Sequence, residues 1–151
     1  MLLVTLMELL PGESKPLLPS TPVGPGPTGL LLSRDLIFTS KIKGTATELG
    51  YAITVAGADS QARSMIETYR PQVVLVDLTA GPIAAPPALI AYQKIAGPDV
   101  WFVAFGSHVD VDALTAARTA GCHEVLPRSR FAADLPALMR RYFSRPASYN
   151  G

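Results

Sequence analysis

The sequence predicts an α/β fold in which five parallel strands form one sheet with helices on both of its faces. Three observations carry this prediction. Short apolar runs alternate along the chain with longer segments whose apolar residues recur every three or four positions, which is the pattern of strands alternating with amphipathic helices. The run VVLVD, residues 73–77, is apolar in four consecutive positions, as is typical of a strand buried on both faces. With 151 residues, the chain is long enough to bury such a sheet within one domain.

The individual elements follow from these two patterns. The apolar runs predict strands over residues 30–33, 51–55, 73–77, 99–105 and 123–127. The periodic segments predict helices over residues 35–49, 58–69, 85–96, 110–120 and 131–143. Asp110 stands where a helix is commonly capped, and Gly50 and Gly121 stand where helices commonly end.

The predicted helices carry apolar stripes that would face the sheet. These stripes contain Phe38, Ile42, Thr45, Ala46 and Leu49 in the first helix, Ala62, Met65, Ile66 and Tyr69 in the second, and Leu135, Leu138, Met139 and Tyr142 in the last. Because crossovers between parallel strands are right-handed, few topologies remain. The flavodoxin-like strand order 2-1-3-4-5 is the default for five strands.

The two ends of the chain have a different composition from its centre. Residues 11–28 contain six prolines and three glycines, which disfavour a packed layer and are typical of a linker. We therefore expect residues 1–28 to form a disordered extension, residues 29–144 to form the domain, and residues 145–151 to form a short tail.

Composition excludes several classes of function. The formal net charge is +1, and there is no basic run, which argues against a nucleic-acid surface. No stretch is long and apolar enough to span a bilayer, so no membrane partner is expected. Cys122 is the only cysteine, which rules out an intramolecular disulfide and is compatible with a reducing compartment. These features are typical of a soluble cytoplasmic protein.

One crevice is the natural place for chemistry in this fold. Ligands bind open parallel sheets outside the carboxyl ends of the strands, and here those ends supply Ser33, Asp77, Gly106 and Arg128, with Ser107 next to Gly106. Asp77 occupies the central position.

No enzyme motif accompanies this crevice. There is no glycine-rich phosphate loop after the first strand. His108 lies at the crevice rim and His123 at the opposite end of the sheet, so with Cys122 they suggest neither a metal site nor a nucleophile–base pair. We predict that the chain is not an enzyme and carries no cofactor.

Residues 29–143 resemble a receiver domain of the two-component response regulators. The likeness lies in the order of the elements, in VVLVD at the third strand, and in AGCHEVLPRSRF after the fourth helix. In such receivers, two acids after the first strand and the aspartate of the third strand hold Mg²⁺, and that aspartate accepts a phosphoryl group from a histidine kinase. A Thr or Ser after the fourth strand and a Lys-Pro pair after the fifth complete the site.

The resemblance carries over only in part. It places Asp77 at the phosphoacceptor position and Gly106 at the Thr or Ser position. The lysine position falls on Arg128, and the proline position on Ser129. The chain therefore resembles a degenerate receiver.

The acidic pair of the family is missing. Its two positions fall on Ser33 and Arg34, which leaves Asp35 and Asp77 as weak candidates for Mg²⁺ ligands. One hypothesis is that Arg34 pairs directly with Asp77 and replaces the metal with a fixed cation.

Two surfaces are candidates for binding a partner. On the first helix, Ser40, Lys41 and Gly44 form a strip where a mid-helix glycine would allow a partner backbone to approach closely. A mixed-charge face on the fourth helix, fifth strand and last helix would suit a homodimer. Its charged residues are Arg118, Arg128, Arg130, Arg140, Arg141, Asp112 and Asp134.

The sequence leaves three functions open. The first is a stand-alone degenerate receiver that binds a signalling protein, such as a histidine kinase, without the usual Mg²⁺-dependent phosphorylation. The second is a working phosphorelay regulator phosphorylated on Asp77, with Arg128 in place of the lysine. The third is a small-molecule-binding module that uses the crevice around Ser33, Asp77, Gly106 and Ser107.

Overall fold

A computed structural model of the chain describes residues 28–144. The predicted extension, up to residue 27, and the predicted tail, residues 145–151, lie outside the described residues. Thr28, which the sequence placed in the extension, is the first residue of the first strand.

In the described chain, five strands alternate with helices, and two helices follow the last strand. The strands are β1 (Thr28–Leu32), β2 (Ala52–Ala56), β3 (Val73–Asp77), β4 (Trp101–Gly106) and β5 (Glu124–Pro127). The helices are α1 (Leu36–Leu49), α2 (Asp59–Tyr69), α3 (Pro86–Ala96), α4 (Val111–Thr119), α5 (Arg128–Ala133) and α6 (Leu135–Phe143). A single 3₁₀ turn, Gly81–Ala84, precedes α3.

All neighbouring strands of the sheet are parallel, and their order is β2-β1-β3-β4-β5. The predicted flavodoxin-like order is therefore confirmed. β1 and β3 lie side by side at the point where the order reverses, and Asp77 is level with Phe105 of β4. The carboxyl ends of β1, β3, β4 and β5 consequently meet at one edge of the sheet.

Alternate residues of the strands build two separate cores. Leu30, Leu32, Val74 and Val76 point to one face, where α2, α3 and α4 cover them. Leu31, Val73 and Leu75 point to the other face, where α1, α5 and α6 cover them. Every residue of β3 is buried, as expected for a strand covered on both sides.

The loop from β1 into α1 is fixed by local hydrogen bonds. Asp35 is the N-cap of α1, and its Oδ1 accepts from the backbone N–H of Phe38 at 3.0 Å. Ser33 Oγ accepts from the backbone N–H of Asp35 at 3.1 Å. These bonds satisfy donors that a helix start leaves free, so both side chains hold defined positions at the sheet edge.

The prediction of one helix over residues 131–143 is wrong, because the segment forms two helices. α5 begins at Arg128, directly after β5, and ends at Ala133; α6 then begins at Leu135. Pro136 explains the break, since proline lacks an N–H and is tolerated only in the first turn of a helix. Independently of this break, α5 begins three residues earlier than predicted, so Arg128 is the first residue of a helix and not part of a loop.

The prediction that Tyr69 faces the core is also wrong. Tyr69 is the last residue of α2 and is exposed, whereas Ala62 and Ile66 of the same helix are buried. The following residue, Arg70, ends α2 with a left-handed backbone, φ of 49°, and the chain enters β3 three residues later.

Gly44 lies in the middle of α1, and a Cβ built there would meet no atom within 4 Å. Gly44→Ala should therefore raise the free energy of unfolding by about 1 kcal/mol, because glycine loses more backbone entropy than alanine in a helix. Urea denaturation measures this change.

The matched control is Gly50→Ala. Gly50 ends the same helix with φ of +86° and equally open surroundings. Alanine there should lower the free energy of unfolding by about 1 kcal/mol. If Gly44→Ala instead lowered the free energy of unfolding, the space around Gly44 would not be open in the way described above.

Candidate functional site

Asp77 is a fully buried carboxylate at the end of β3. Its Oδ2 accepts from Ser33 Oγ at 2.8 Å. Its Oδ1 accepts from both the backbone N–H of Thr79, at 3.0 Å, and the hydroxyl of Thr79, at 2.7 Å. Both oxygens are thus hydrogen-bonded, as a buried charged group requires.

The cation that faces Asp77 is Arg128. One guanidinium nitrogen lies 3.3 Å from Asp77 Oδ1 and 3.5 Å from Oδ2, and the other lies 3.5 Å from Asp35 Oδ2. Arg128 therefore bridges the two carboxylates of the sheet edge. An ionised aspartate without such a partner would be costly at a fully buried position.

Aromatic rings pack against the guanidinium of Arg128. The guanidinium carbon lies 4.5 Å from the ring centre of Phe38 and 5.8 Å from that of Phe105. Phe105 stacks on Phe131 with ring centres 4.3 Å apart and meets Phe38 edge-on at 5.4 Å. Arginine is suited to this place, because its planar cation binds carboxylates and also lies on aromatic faces.

Asp35 has two tasks in this arrangement. The hydrogen bond from the backbone N–H of Phe38 lowers the pKa of its carboxyl group, and the nearby charge of Arg128 lowers that pKa further. Asp35 is thus an anion that both caps α1 and extends the charge pairing at the sheet edge. This gives Arg128 two anionic partners, one of them buried.

The residues present do not fit a Mg²⁺ ion. Mg²⁺ needs near-octahedral oxygen ligands with free lone pairs, usually including one or two carboxylates. Here both oxygens of Asp77 and both oxygens of Asp35 accept hydrogen bonds, and a guanidinium lies between the two groups. Within residues 28–144, no group of three His, Cys, Asp or Glu side chains could hold a metal ion.

Three of the four residues predicted for the strand ends contribute to one cluster. Ser33 is buried and contacts Asp77 through its hydroxyl, and Arg128 contacts Asp77 through its guanidinium. Gly106 is buried beside them, and a Cβ there would lie 3.1 Å from the side chain of Leu78, so the family's Thr or Ser would fit only if Leu78 shifted by a few tenths of an ångström.

Ser107 and Arg34 lie outside the cluster. The hydroxyl of Ser107 accepts from the backbone N–H of Val109 at 3.3 Å and is exposed. Arg34 is also exposed and lies beside Gly57. The hypothesis that Arg34 pairs with Asp77 is wrong, because the side chain of Arg34 is exposed and the cation that contacts Asp77 is Arg128.

Sequence reasoning missed two functional residues, Thr79 and Phe38. Thr79 binds Asp77 through a local turn, and the signal was the spacing Asp-x-Thr, since aspartate side chains commonly bond to the backbone two residues ahead. Phe38 was assigned to the core stripe of its helix. Only the structure shows that its ring also supports Arg128.

A shallow depression of about 340 Å³ opens above this cluster, lined by Phe38, Thr79, Ser107, His108, Arg128, Ser129 and Ala132. Ser33, Asp77 and Gly106 lie beneath it and do not line it. A molecule in this depression would therefore meet Arg128 and aromatic surface before it met Asp77.

The remaining reactive side chains lie elsewhere. The imidazole of His123 stacks on Trp101, and its Nδ1 accepts from the backbone N–H of Phe102 at 3.0 Å. Cys122 is buried, and burial raises the pKa of its thiol to about 11, so little reactive thiolate forms near neutral pH. Neither side chain reaches the Asp77 cluster.

No helix in residues 28–144 combines the length and the apolar character that crossing a membrane requires.

Comparison with known proteins finds no matching family model and no matching curated sequence. Solved structures do match. They include a response regulator from Thermotoga maritima, with 17% identity, a TM-score of 0.67 and coverage of 80% of this chain and 99% of that one. The receiver domain of a Francisella response regulator matches with 18% identity, a TM-score of 0.67 and coverage of 80% and 98%.

A third match is the receiver domain of a sensor histidine kinase from Pseudomonas aeruginosa, in which a magnesium ion is coordinated in the active site cleft. It has 20% identity, a TM-score of 0.66 and coverage of 80% of this chain and 99% of that one. At such low identities, the likeness establishes the fold. The chain has the fold of response-regulator receiver domains.

Replacing Arg128 tests the energetic coupling within the cluster. Arg128→Met should lower the free energy of unfolding by about 1–3 kcal/mol, because Asp77 stays buried without its cation. In the Asp77→Asn variant, Arg128→Met should lower the free energy of unfolding by less than it does in the natural chain. The difference between the two effects should be about 1 kcal/mol or more. Urea denaturation of the natural protein, the two single variants and the double variant gives the coupling energy between Arg128 and Asp77.

Arg130→Met is the matched control. Arg130 lies two residues away and pairs with Asp134 at 3.8 Å, with both side chains more than half exposed, so its loss should cost about 0.5 kcal/mol or less. If Arg128→Met and Arg130→Met had equal effects, the contact between Arg128 and Asp77 would be unimportant for stability.

Proposed function

We propose that this chain is a degenerate receiver-like module that acts in signal transduction by binding another protein. In this proposal, Arg128 holds the Asp77 site in one state, and kinase-dependent phosphorylation with Mg²⁺ is not its switch. The contact of Arg128 with Asp77 is the observation that carries the proposal.

The chemistry of phosphoryl transfer supports this view. Transfer to a carboxylate requires an accessible oxygen and, in general, a metal ion that bridges the phosphoryl group and the protein. The oxygens of Asp77 are fully buried and accept hydrogen bonds from Ser33 and Thr79. A guanidinium, which cannot dissociate as Mg²⁺ can, lies 3.3 Å away.

The fold supports the signalling part of the proposal. Among the structural matches are response regulators and the receiver domain of a sensor histidine kinase. The partner of this chain would then be a signalling protein, for example a histidine kinase. The exposed strip of Ser40, Lys41 and Gly44 on α1 remains our candidate for its contact surface, since no atom of the described chain lies close to Gly44 on that side.

A working phosphoacceptor is the second candidate. It is favoured by the position of Asp77 at the end of β3, next to the reversal of strand order, where the fold places ligands. It requires Arg128 to swing away from Asp77 and to bind phosphoryl oxygens instead. Arginine can bind phosphate in this manner, so Arg128 would then replace the family's lysine.

A small-molecule-binding module is the third candidate. The depression above Arg128 offers a cation, an aromatic face and the hydroxyls of Thr79 and Ser107, which would suit a small anionic ligand. Native mass spectrometry of the purified protein would detect a retained ligand.

An amide NMR titration separates the first two candidates. Addition of Mg²⁺ and beryllofluoride, which mimics an acyl phosphate on aspartate, should leave the ¹⁵N–¹H spectrum of the protein unchanged. Shifts that spread from Asp77 to Gly106 and Arg128 would contradict the proposal and favour the phosphoacceptor.

A double variant provides the positive control. Ser33→Asp places a second carboxylate beside Asp77, because the Ser33 hydroxyl contacts Asp77, and Arg128→Lys restores the lysine that the resemblance implies and removes the competing guanidinium. This variant should respond to Mg²⁺ with beryllofluoride. If it responds while the natural chain does not, the difference lies in the residues of the site and not in the assay.

A further inference from the structure

Two pairs of large apolar side chains are strongly exposed to solvent. Leu36 and Ile37 are 81% and 87% exposed, and Val109 and Val111 are 74% and 62% exposed. Among the described residues, only two other large apolar side chains, Tyr69 and Ile90, are comparably exposed. Single exposed apolar residues are ordinary, but clustered ones commonly mark an interaction surface.

Both pairs lie at the edge of the sheet that carries Asp77. Leu36 and Ile37 are the first two residues of α1, which follows β1, and Val109 and Val111 flank the start of α4, which follows β4. Since the strands are parallel, both helix starts lie at the same edge. The helices cover opposite faces of the sheet, so the two pairs stand on either side of the opening above Asp77.

The surface between the two pairs is continuous. A depression of about 270 Å³ lies beside α1, lined by Asp35, Ile37, Phe38, Lys41 and Arg128. It shares Phe38 and Arg128 with the depression of about 340 Å³ that reaches Ser107 and His108. Ile37 lines the smaller depression, and Val109 and Val111 follow shortly after His108, which lines the larger one. Arg128 lines both depressions and therefore lies between the two apolar pairs.

The charges at the two margins are opposite. Leu36 and Ile37 are accompanied by Arg34 and Lys41, both exposed. The carboxylate of Asp35, which lies between Arg34 and Leu36, is already paired with Arg128. We name this margin the α1 ridge. Val109 and Val111 are accompanied by Asp110 and Asp112, also exposed, and we name this margin the α4 ridge. The ion pairs found within residues 28–144 involve neither Lys41 nor Asp112.

We propose that this surface is the interface of a symmetric homodimer. A two-fold axis through the opening would bring the α1 ridge of one copy against the α4 ridge of the other, twice. Each contact would then join apolar side chains to apolar side chains and a basic margin to an acidic margin. A second copy of the chain therefore fits this surface better than a partner with charge of one sign.

This dimer would cover the opening above Asp77 and seclude Arg128 from solvent. It differs from the mixed-charge face on α4, β5 and α6 that the sequence suggested for a homodimer. The inference does not rest on the proposed function, because it concerns the ridges and not the chemistry of Asp77.

Sedimentation velocity of the full chain over a concentration series tests the interface. The natural protein should show a monomer–dimer equilibrium, and Ile37→Glu should weaken it by about tenfold or more, because a charge would enter the apolar contact. Ile90→Glu is the matched control. Ile90 is also an exposed apolar helix residue, but it lies on α3, so its replacement should leave the dimer intact.

Charge reversal tests the pairing of the ridges. Lys41→Glu and Asp112→Lys should each weaken the homodimer, because each places two like-charged pairs in the symmetric interface. An equimolar mixture of the two variants should form a heterodimer, because both of its contacts then join opposite charges. Differential isotope labelling and native mass spectrometry identify this heterodimer, and circular dichroism confirms that both variants are folded.

Three outcomes would overturn the inference. One is that the natural chain remains monomeric at concentrations up to about 1 mM, because a dimer that dissociates at such concentrations is weaker than a specific one. A second is a dimer that resists Ile37→Glu but is disrupted by Ile90→Glu, or by Arg140→Glu on the exposed side of α6. The third is a mixture of the two charge variants that associates no better than either variant alone.

Discussion

The ion pair between Arg128 and the buried carboxylate of Asp77 is the interaction on which the site depends. A charge at a fully buried position requires hydrogen bonds and a counter-charge, and each neighbouring group supplies one of these. Ser33 and Thr79 donate hydrogen bonds, Arg128 supplies the charge, and Asp35 balances the second side of the guanidinium. The start of α5 at residue 128, directly after β5, places the arginine within reach.

A side-chain cation and a metal ion give a receiver-like site different properties. A bound metal exchanges with solvent and leaves coordination positions for a ligand, whereas Arg128 is tethered to the chain and lies on the rings of Phe38 and Phe105. In such receivers, as the resemblance implies, a lysine at the position of Arg128 accompanies the metal. Here the two acid positions hold Ser33 and Arg34, and the charges of Asp77, Asp35 and Arg128 are already paired with one another. This pairing supports the binding role that we propose.

The same sheet edge has two layers with different chemistry. The buried layer is polar and internally satisfied, with Asp77 and Ser33 enclosed. The outer layer is apolar at its margins and carries exposed charges, basic along α1 and acidic along α4. Stability explains the buried layer, but it does not explain why two pairs of apolar side chains are exposed to solvent at the crevice mouth. The homodimer that we propose would bury them.

The sequence by itself determined the fold and most of the positions at the sheet edge, because strand and helix periodicity and right-handed crossovers depend on local pattern. It placed Ser33, Asp77, Gly106 and Arg128 at the strand ends and identified Asp77 as the central group. It could not decide which cation meets Asp77, because Arg34 and Arg128 are equally plausible by chain order. Only the tertiary structure selected Arg128. The contacts of Asp77 and Asp35 with Arg128 join residues 51 and 93 positions apart, and their geometry depends on the start of α5 directly after β5, the cap at Asp35 and the packing of three phenylalanines from separate elements.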